Sequence, residues 1–177
     1  MVWFWLFVFY SFGGYLLEKA FAAATAAPQQ VRKCFLLLPL CPVYGLGAVV
    51  ILYLAPLTGG APLPLFLLGV AGATVVEYAT SLVYERGLGV SFWDYSGLWG
   101  NVRGRVCLPF SLAWGVLALA LVWWVHPWLL PRLAAIPRPV SGAMLALLLA
   151  DSGVSALMLR RTGRRECLQW YRPHPAP

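Results

Sequence analysis

The chain has 177 residues, 61% apolar and only 11% charged, with a net charge of +7 and a mean hydropathy of +0.76. An average soluble domain is about a quarter charged, so this much apolar surface excludes an ordinary soluble core and suits about five spans of about 20 residues. The 26 aromatic residues exclude a disordered chain, and four cysteines in this length exclude a disulfide-stapled secreted domain. An all-α, polytopic membrane bundle is expected over residues 1–160 as one domain, followed by a basic tail over 161–177.

The first span is expected at 2–24, where it opens with VWFWLFVFYSF. The second, 35–57, is interrupted near its start by Pro39 and Pro42, and 64–85, 106–131 and 139–159 complete the set. Gly/Pro turns, TGGAPLP and RLAAIPRP, punctuate the second and fourth connections. The small residues of AFAAATAAP resemble a signal-peptide cleavage site. No basic n-region precedes them and Glu18-Lys19 intervenes, so the first helix is expected to stay.

Orientation follows from the 13 basic residues. With the N-terminus outside, 11 fall inside, among them Lys19, Arg32, Lys33, Arg86, Arg103 and Arg105, and only Arg132 and Arg138 fall outside. The positive-inside rule then predicts an N-out, C-in protein of the cytoplasmic membrane. That arrangement puts Cys34, Cys41, Cys107 and Cys167 near the reducing face, where no disulfide is expected; Cys34 and Cys167 are juxtamembrane candidates for palmitoylation. No cysteine pair has zinc-finger spacing, and His126 and His174 fall on opposite sides, so neither a metal nor another cofactor is expected. The tail run RRTGRREC reads as retention plus attraction to anionic lipid, not as a nucleic-acid site.

Two segments echo each other. Lys33 lies six residues before Pro39, which is followed by Tyr44-Gly45; Arg103 lies six before Pro109, which is followed by Trp114-Gly115. Each Pro-x4-aromatic-Gly helix follows a helix with a glutamate near its inner half, Glu18 in one and Glu77 in the other. The pattern suggests two helix pairs in the same membrane orientation plus a fifth helix, a parallel repeat that turns both glutamates toward a shared interior.

Three of the six acidic residues, Glu18, Glu77 and Asp151, fall within expected spans away from their ends. An ionised carboxylate near mid-membrane costs about 2.5–3.5 kcal/mol on insertion scales, so such groups face the bundle interior and find partners. They are the candidate substrate or ion site, with Tyr78 beside Glu77 and with Thr80 and Ser81 on the same helical face. The competing reading is architectural: Glu18 pairs with Lys19 or Arg105, and Glu77 with Arg103 or Arg105.

The connection GLGVSFWDYSGLWGNVRGR is too polar for a span and too aromatic for a free linker. A short interfacial or re-entrant segment is expected, with Trp93, Asp94, Tyr95, Asn101, Arg103 and Arg105 as a gate at the inner mouth of the acidic interior. Alternatively it is an anchor in which Asp94 pairs with Arg103 or Arg105. The chain has no Gly-Lys for a phosphate loop, no H-E-x-x-H and no G-x-S-x-G, so no catalytic residue is assigned and an enzyme is not the favoured reading.

The segments FYSFGGYLLEKAF, PLCPVYGLGA, VEYATSLVYERGLGVSFWDYS and GRVCLPFSLAWG closely resemble the family of small membrane proteins named putative ABC transporter, type IV (CmpB-like). The resemblance covers about residues 5–130 and extends less firmly to Asp151 and Ser155; the chain departs from typical members in SGLWGNVRG. It implies a permease-like subunit that relies on a separate ATPase subunit, and it supplies no known catalytic residues. The expectation is therefore a multi-pass protein that binds or translocates a small polar or cationic solute, or a lipid head group, as a homo-oligomer or with other membrane subunits. A non-transporting accessory or scaffold protein is the alternative, and a membrane-embedded enzyme acting on lipid substrates through Asp/Glu is the third reading.

Overall fold

The computed structural model describes residues 1–25 and 34–168. Five helices account for most of them: α1 (Val2–Ala24), α2 (Pro42–Leu54), α3 (Pro62–Leu88), α4 (Leu108–Ala134) and α5 (Arg138–Thr162). Proline stands in the first turn of α2, α3, α4 and α5. There its fixed φ suits a helix and its missing N–H costs nothing. Gly89 and Gly163 end α3 and α5 in the left-handed conformation that only glycine adopts freely.

The five expected spans correspond to these five helices, but only α3, α4 and α5 are both long and apolar enough to cross a membrane. In α1 the length suffices, but Trp, Tyr, Ser, Gly and the Glu18-Lys19 pair dilute the hydropathy. The second span is shorter than expected. Residues 34–41 run outside any helix, because Pro39 and Pro42 are incompatible with a helix interior. Helix α2 begins only at Pro42 and ends in a 3-10 turn at Ala55–Thr58.

The segment over 34–41 folds back against α1, where the Cys41 amide donates to the Ser11 carbonyl at 2.8 Å. Its return brings Cys34 and Cys41 together in a disulfide, Cα to Cα 4.7 Å, and both residues are buried. That corrects the expectation of four free thiols and removes Cys34 as an acylation candidate; Cys107 and Cys167 are free.

Helix α1 packs along α2, α2 against α3 and α3 along α4; the last part of α4 returns to α1 and closes a four-helix ring. Leu6, Leu52, Leu129 and Leu133 are the closing layer, and Ile51, Ala73, Trp114 and Ala118 form a layer between α2, α3 and α4. Close approach depends on glycine. A Cβ on Gly45 would collide with the Phe7 carbonyl and the Ser11 hydroxyl of α1, and one on Gly115 with Phe66 and Val70 of α3. Helix α4 carries one π turn at Leu121–Val125, where the His126 amide reaches back to the Leu121 carbonyl.

Helix α5 lies beside this ring and is joined to it by side-chain bonds. The Trp5 indole N–H donates to Ser141 Oγ at 2.8 Å, and Leu148 packs with Val8, Leu36 and Leu40. At its far end Leu159 joins a cluster with Tyr84, Phe92, Trp93 and Leu168. The start of the basic tail is therefore docked: Arg165–Leu168 form a 3-10 turn, Leu168 is buried, and Arg165 donates to the Phe92 carbonyl at 2.9 Å.

Candidate functional site

Glu18 and Glu77 line one cavity of about 220 Å³. Helix α1 supplies Leu17, Glu18 and Phe21, α2 Tyr44, α3 Glu77, α4 Phe110, Ala113, Trp114 and Leu117, and the connection after α3 supplies Tyr95. The carboxylates come from different helices, and each is held by an aromatic residue of the next one. The Tyr44 hydroxyl donates to Glu18 Oε1 at 2.7 Å, and the Trp114 indole N–H donates to Glu77 Oε2 at 3.2 Å. The Tyr95 hydroxyl adds a bond to Glu77 Oε1 at 2.9 Å.

Tyr44 and Trp114 are the aromatic members of the two Pro-x4-aromatic-Gly segments, and the glycines behind them behave alike. Gly45 meets Phe7 and Ser11, eleven and seven residues before Glu18; Gly115 meets Phe66 and Val70, eleven and seven before Glu77. The spacing motif is thus a small device. Glycine lets the two helices approach, and the preceding aromatic then reaches the glutamate one helix back.

Rings complete the walls. Tyr44 and Trp114 lie 4.8 Å apart, Tyr95 stacks on Phe110 at 5.0 Å, and Phe21 meets Phe110 edge-on at 5.8 Å. Burial, then the charge of Glu77, pushes the Tyr95 phenol above its ordinary range, so it remains a proton donor to Glu77. Glu77 itself is 5% exposed, which is tolerable for a carboxylate only with donors such as these.

The other expected site residues lie elsewhere. Asp151 of α5 is bonded to the non-helical segment: Oδ1 accepts from the Leu37 amide and Oδ2 from the Leu38 amide, each at 3.0 Å, and Ser155 Oγ adds a bond at 3.1 Å. Thr80 bonds back to the Val76 carbonyl and faces a separate, apolar cavity of about 480 Å³ between α2, α3 and α5. Tyr78 and Ser81 belong with Glu85, an acid that sequence reasoning passed over. Arg105 donates to Glu85 through Nε at 3.0 Å and to the Tyr78 hydroxyl through Nη1 at 3.2 Å, while Ser81 Oγ donates to Glu85 at 3.0 Å. Glu85 lies four residues beyond Ser81 on one helical face, and that spacing was its available signal.

The connection after α3 is a compact turn. Tyr95 and Trp93 are buried in it, not spread at an interface, with the Trp93 indole donating to the Arg105 carbonyl at 2.8 Å. Asp94 accepts from the Ser96 amide at 2.9 Å and from the Ser96 hydroxyl; these bonds hold its carboxyl below the usual aspartate range. The expected Asp94–arginine pair does not form through Arg105, which goes to Glu85. Asn101 ties the turn by donating to the Ser96 and Leu98 carbonyls and accepting from the Gly104 amide. Arg103 takes a left-handed φ of 54°. Gly104 follows with φ of 70°, and a Cβ there would strike Asp94 and Ser96. Arg32 and Lys33, expected on the inner side, lie outside the described residues. Among the described residues no cluster of His, Cys, Asp and Glu could hold a metal ion.

Three helices long and apolar enough to cross a bilayer fit a membrane protein. The chain belongs to the family described as "Putative ABC-transporter type IV", whose model matches residues 5–156. No curated protein and no solved structure matches it.

Proposed function

We propose that this chain is a permease-like subunit of the cytoplasmic membrane that binds or translocates a small cationic or polar solute, or a lipid head group, at the Glu18–Glu77 cavity. One observation carries the reading: glutamates from separate helix pairs converge on one cavity and are held by matching aromatic residues. Burying carboxylates within a bilayer is costly, and such groups mark ion or substrate pathways by default. In this reading all five helices cross, α1–α2 and α3–α4 are repeats of one unit, the N-terminus lies outside, and the tail over 161–177 lies inside. Tyr95 is the inner gate, with Trp93, Asp94, Asn101, Arg103 and Arg105 shaping its turn. A separate ATPase subunit or a second copy of the chain would complete the transporter.

The accessory or scaffold reading draws its support from Asp151 and Glu85, whose bonds tie a loop to α5 and α3 to its following turn. A thermal-shift screen separates the two. The purified protein is melted with sodium, potassium, ammonium and ethanolamine, beside Glu77→Gln. Ligand binding to the folded state raises the midpoint by mass action. A shift of several degrees with one cation, absent in the variant, is the expected result. A variant that only melts lower, with no response to any cation in either protein, favours the scaffold.

A further inference from the structure

We infer that a second site on this chain holds an anionic phospholipid, with one acyl chain in the cavity between α2, α3 and α5 and the phosphate at Arg86 and Arg160, where α3 and α5 end. The site is separate from the Glu18–Glu77 cavity and does not depend on what that cavity binds.

The acyl half of the site is the larger cavity. It has about 480 Å³, against about 150 Å³ for a void that accommodates benzene. Leu46 of α2, Ala79 and Val83 of α3, and Leu148 and Ser152 of α5 line it. The Thr80 hydroxyl on its wall is spent on the Val76 carbonyl of its own helix, so the walls are nearly all hydrocarbon. Leu46 and Val83 are also exposed on the outside of the bundle. The cavity therefore opens sideways, beside α3 and α5, two helices long and apolar enough to cross a bilayer. A ligand entering there comes from the lipid phase.

The charged half continues the same two helical stripes. Ala79, Val83 and Arg86 recur at spacings of four and three, and Leu148, Ser152 and Arg160 at spacings of four and eight, so each arginine stands on the face that lines the cavity. The two are brought to one place, because Arg160 Nε donates at 3.1 Å to the carbonyl of Gly87, the residue after Arg86. The acids nearest in sequence are engaged, Glu85 with Arg105 and Glu166 with Arg165. Arg161 and Arg164 follow, so this end of the bundle carries surplus positive charge.

Depth joins the two halves. At about 1.5 Å per residue, Val76 lies about 15 Å along α3 from Arg86 and Leu148 about 18 Å along α5 from Arg160, and one leaflet of hydrocarbon is about 15 Å deep. A phosphate at the arginines lets one acyl chain run the length of the cavity. A neutral head group would leave the surplus charge unanswered, and a free phosphate would leave the cavity walls without contacts.

The test is native mass spectrometry of the full-length protein in a neutral detergent, titrated with phosphatidylglycerol and with phosphatidylcholine of the same acyl chains. Saturable binding of phosphatidylglycerol is expected, at least tenfold tighter than phosphatidylcholine. Arg86→Gln and Arg160→Gln should each weaken phosphatidylglycerol about fivefold, and about thirtyfold together, with phosphatidylcholine unchanged. Arg138→Gln removes the same charge at the opposite end of α5 and should have no effect. Ala79→Phe fills the cavity and should weaken both lipids while the ratio between them stays. Ser152→Phe fills it from α5 and takes its place if the first variant does not fold. Glycerophosphate, a head group without chains, should not compete.

Equal affinities for the two lipids would overturn the anionic assignment. An Arg138→Gln effect as large as that of Arg160→Gln would overturn the head-group site. Cavity variants that fold and leave both lipids unchanged would overturn the acyl site and leave only attraction to surface charge. Competition by glycerophosphate at the affinity of the whole lipid would identify a soluble phosphate as the ligand instead.

Discussion

At the scale of single residues, Glu18, Glu77 and Asp151 separate into two kinds by what donates to them. Glu18 and Glu77 receive side-chain hydroxyl and indole donors at a cavity. Asp151 receives two backbone amides from Leu37 and Leu38, groups that a helix would otherwise satisfy and that the two prolines have freed. It acts as a cap for a piece of chain with no secondary structure of its own. Asp151→Ala strands the Leu38 amide and leaves the Leu37 amide to Ser155 Oγ at 3.3 Å, and leaving a buried donor unsatisfied costs about 1–3 kcal/mol. Asp151→Asn keeps one carbonyl oxygen and should fall between. Thermal midpoints in one detergent should rank wild type, Asn, Ala; an alanine variant that melts with wild type would remove the capping role. Nothing in the sequence distinguished these acids. Depth along a helix was legible, but the identity of the donor depends on which loop folds back.

Among the elements, the five helices were the best-read feature, because hydropathic runs and first-turn prolines are local patterns with a direct geometric consequence. The turn after α3 was read less well. Its aromatic residues suggested an interface, yet Tyr95 and Trp93 turn inward, because Asn101 and Gly104 close the loop on itself by backbone contacts that no periodicity announces. The second span was overestimated for a related reason. Hydropathy continues through residues 35–41, but the helix cannot. Where two helices touch through glycine, size alone is decisive. Gly115→Val would drive a side chain into Phe66 and Val70, and overpacking of this kind costs about 1–3 kcal/mol. It should also pull Trp114 away from Glu77. Gly13→Val, at a position where an added Cβ meets nothing within 4 Å, should be tolerated. A paired measurement of melting midpoint and tryptophan emission on both variants checks this; equal effects would refute the close-packing argument.

For the whole molecule, the arginine and lysine count and the Cys34–Cys41 disulfide point in different directions. The charge asymmetry places residues 34–41 near the inner face, which is reducing, whereas a disulfide persists where the surroundings are oxidising. A single labelling experiment resolves them. Intact cells are treated with a membrane-impermeant maleimide, denatured without reductant, and alkylated a second time. If the disulfide stands in the cell, only Cys107 and Cys167 react over the two steps together. If the pair lies on the reducing side, all four cysteines react over the two steps. The first outcome reverses the N-out, C-in orientation or moves the segment away from the cytoplasm, and the second keeps the orientation and leaves Cys34 and Cys41 as thiols in the cell. Composition could establish that this chain belongs in a membrane. It could not weigh a covalent bond against a charge rule, because the bond requires knowing that the chain returns on itself within seven residues.

The π turn in α4 bears on how the two ends of that helix are phased. A π turn holds one residue more than an α turn, and one residue corresponds to about 100° of rotation. Upstream of it, the phase of α4 is set by Ser111, Trp114 and Ala118, which face α2, α3 and the cavity. Downstream, it is set by Leu129 and Leu133, which face Leu6 of α1 and Leu52 of α2. A smooth helix could satisfy one of these alignments but would swing the other toward lipid. The surplus residue acts as a joint between two independently indexed surfaces, so the length of α4 across Leu121–Val125 is as much a determinant of its fit as the identity of any side chain within it.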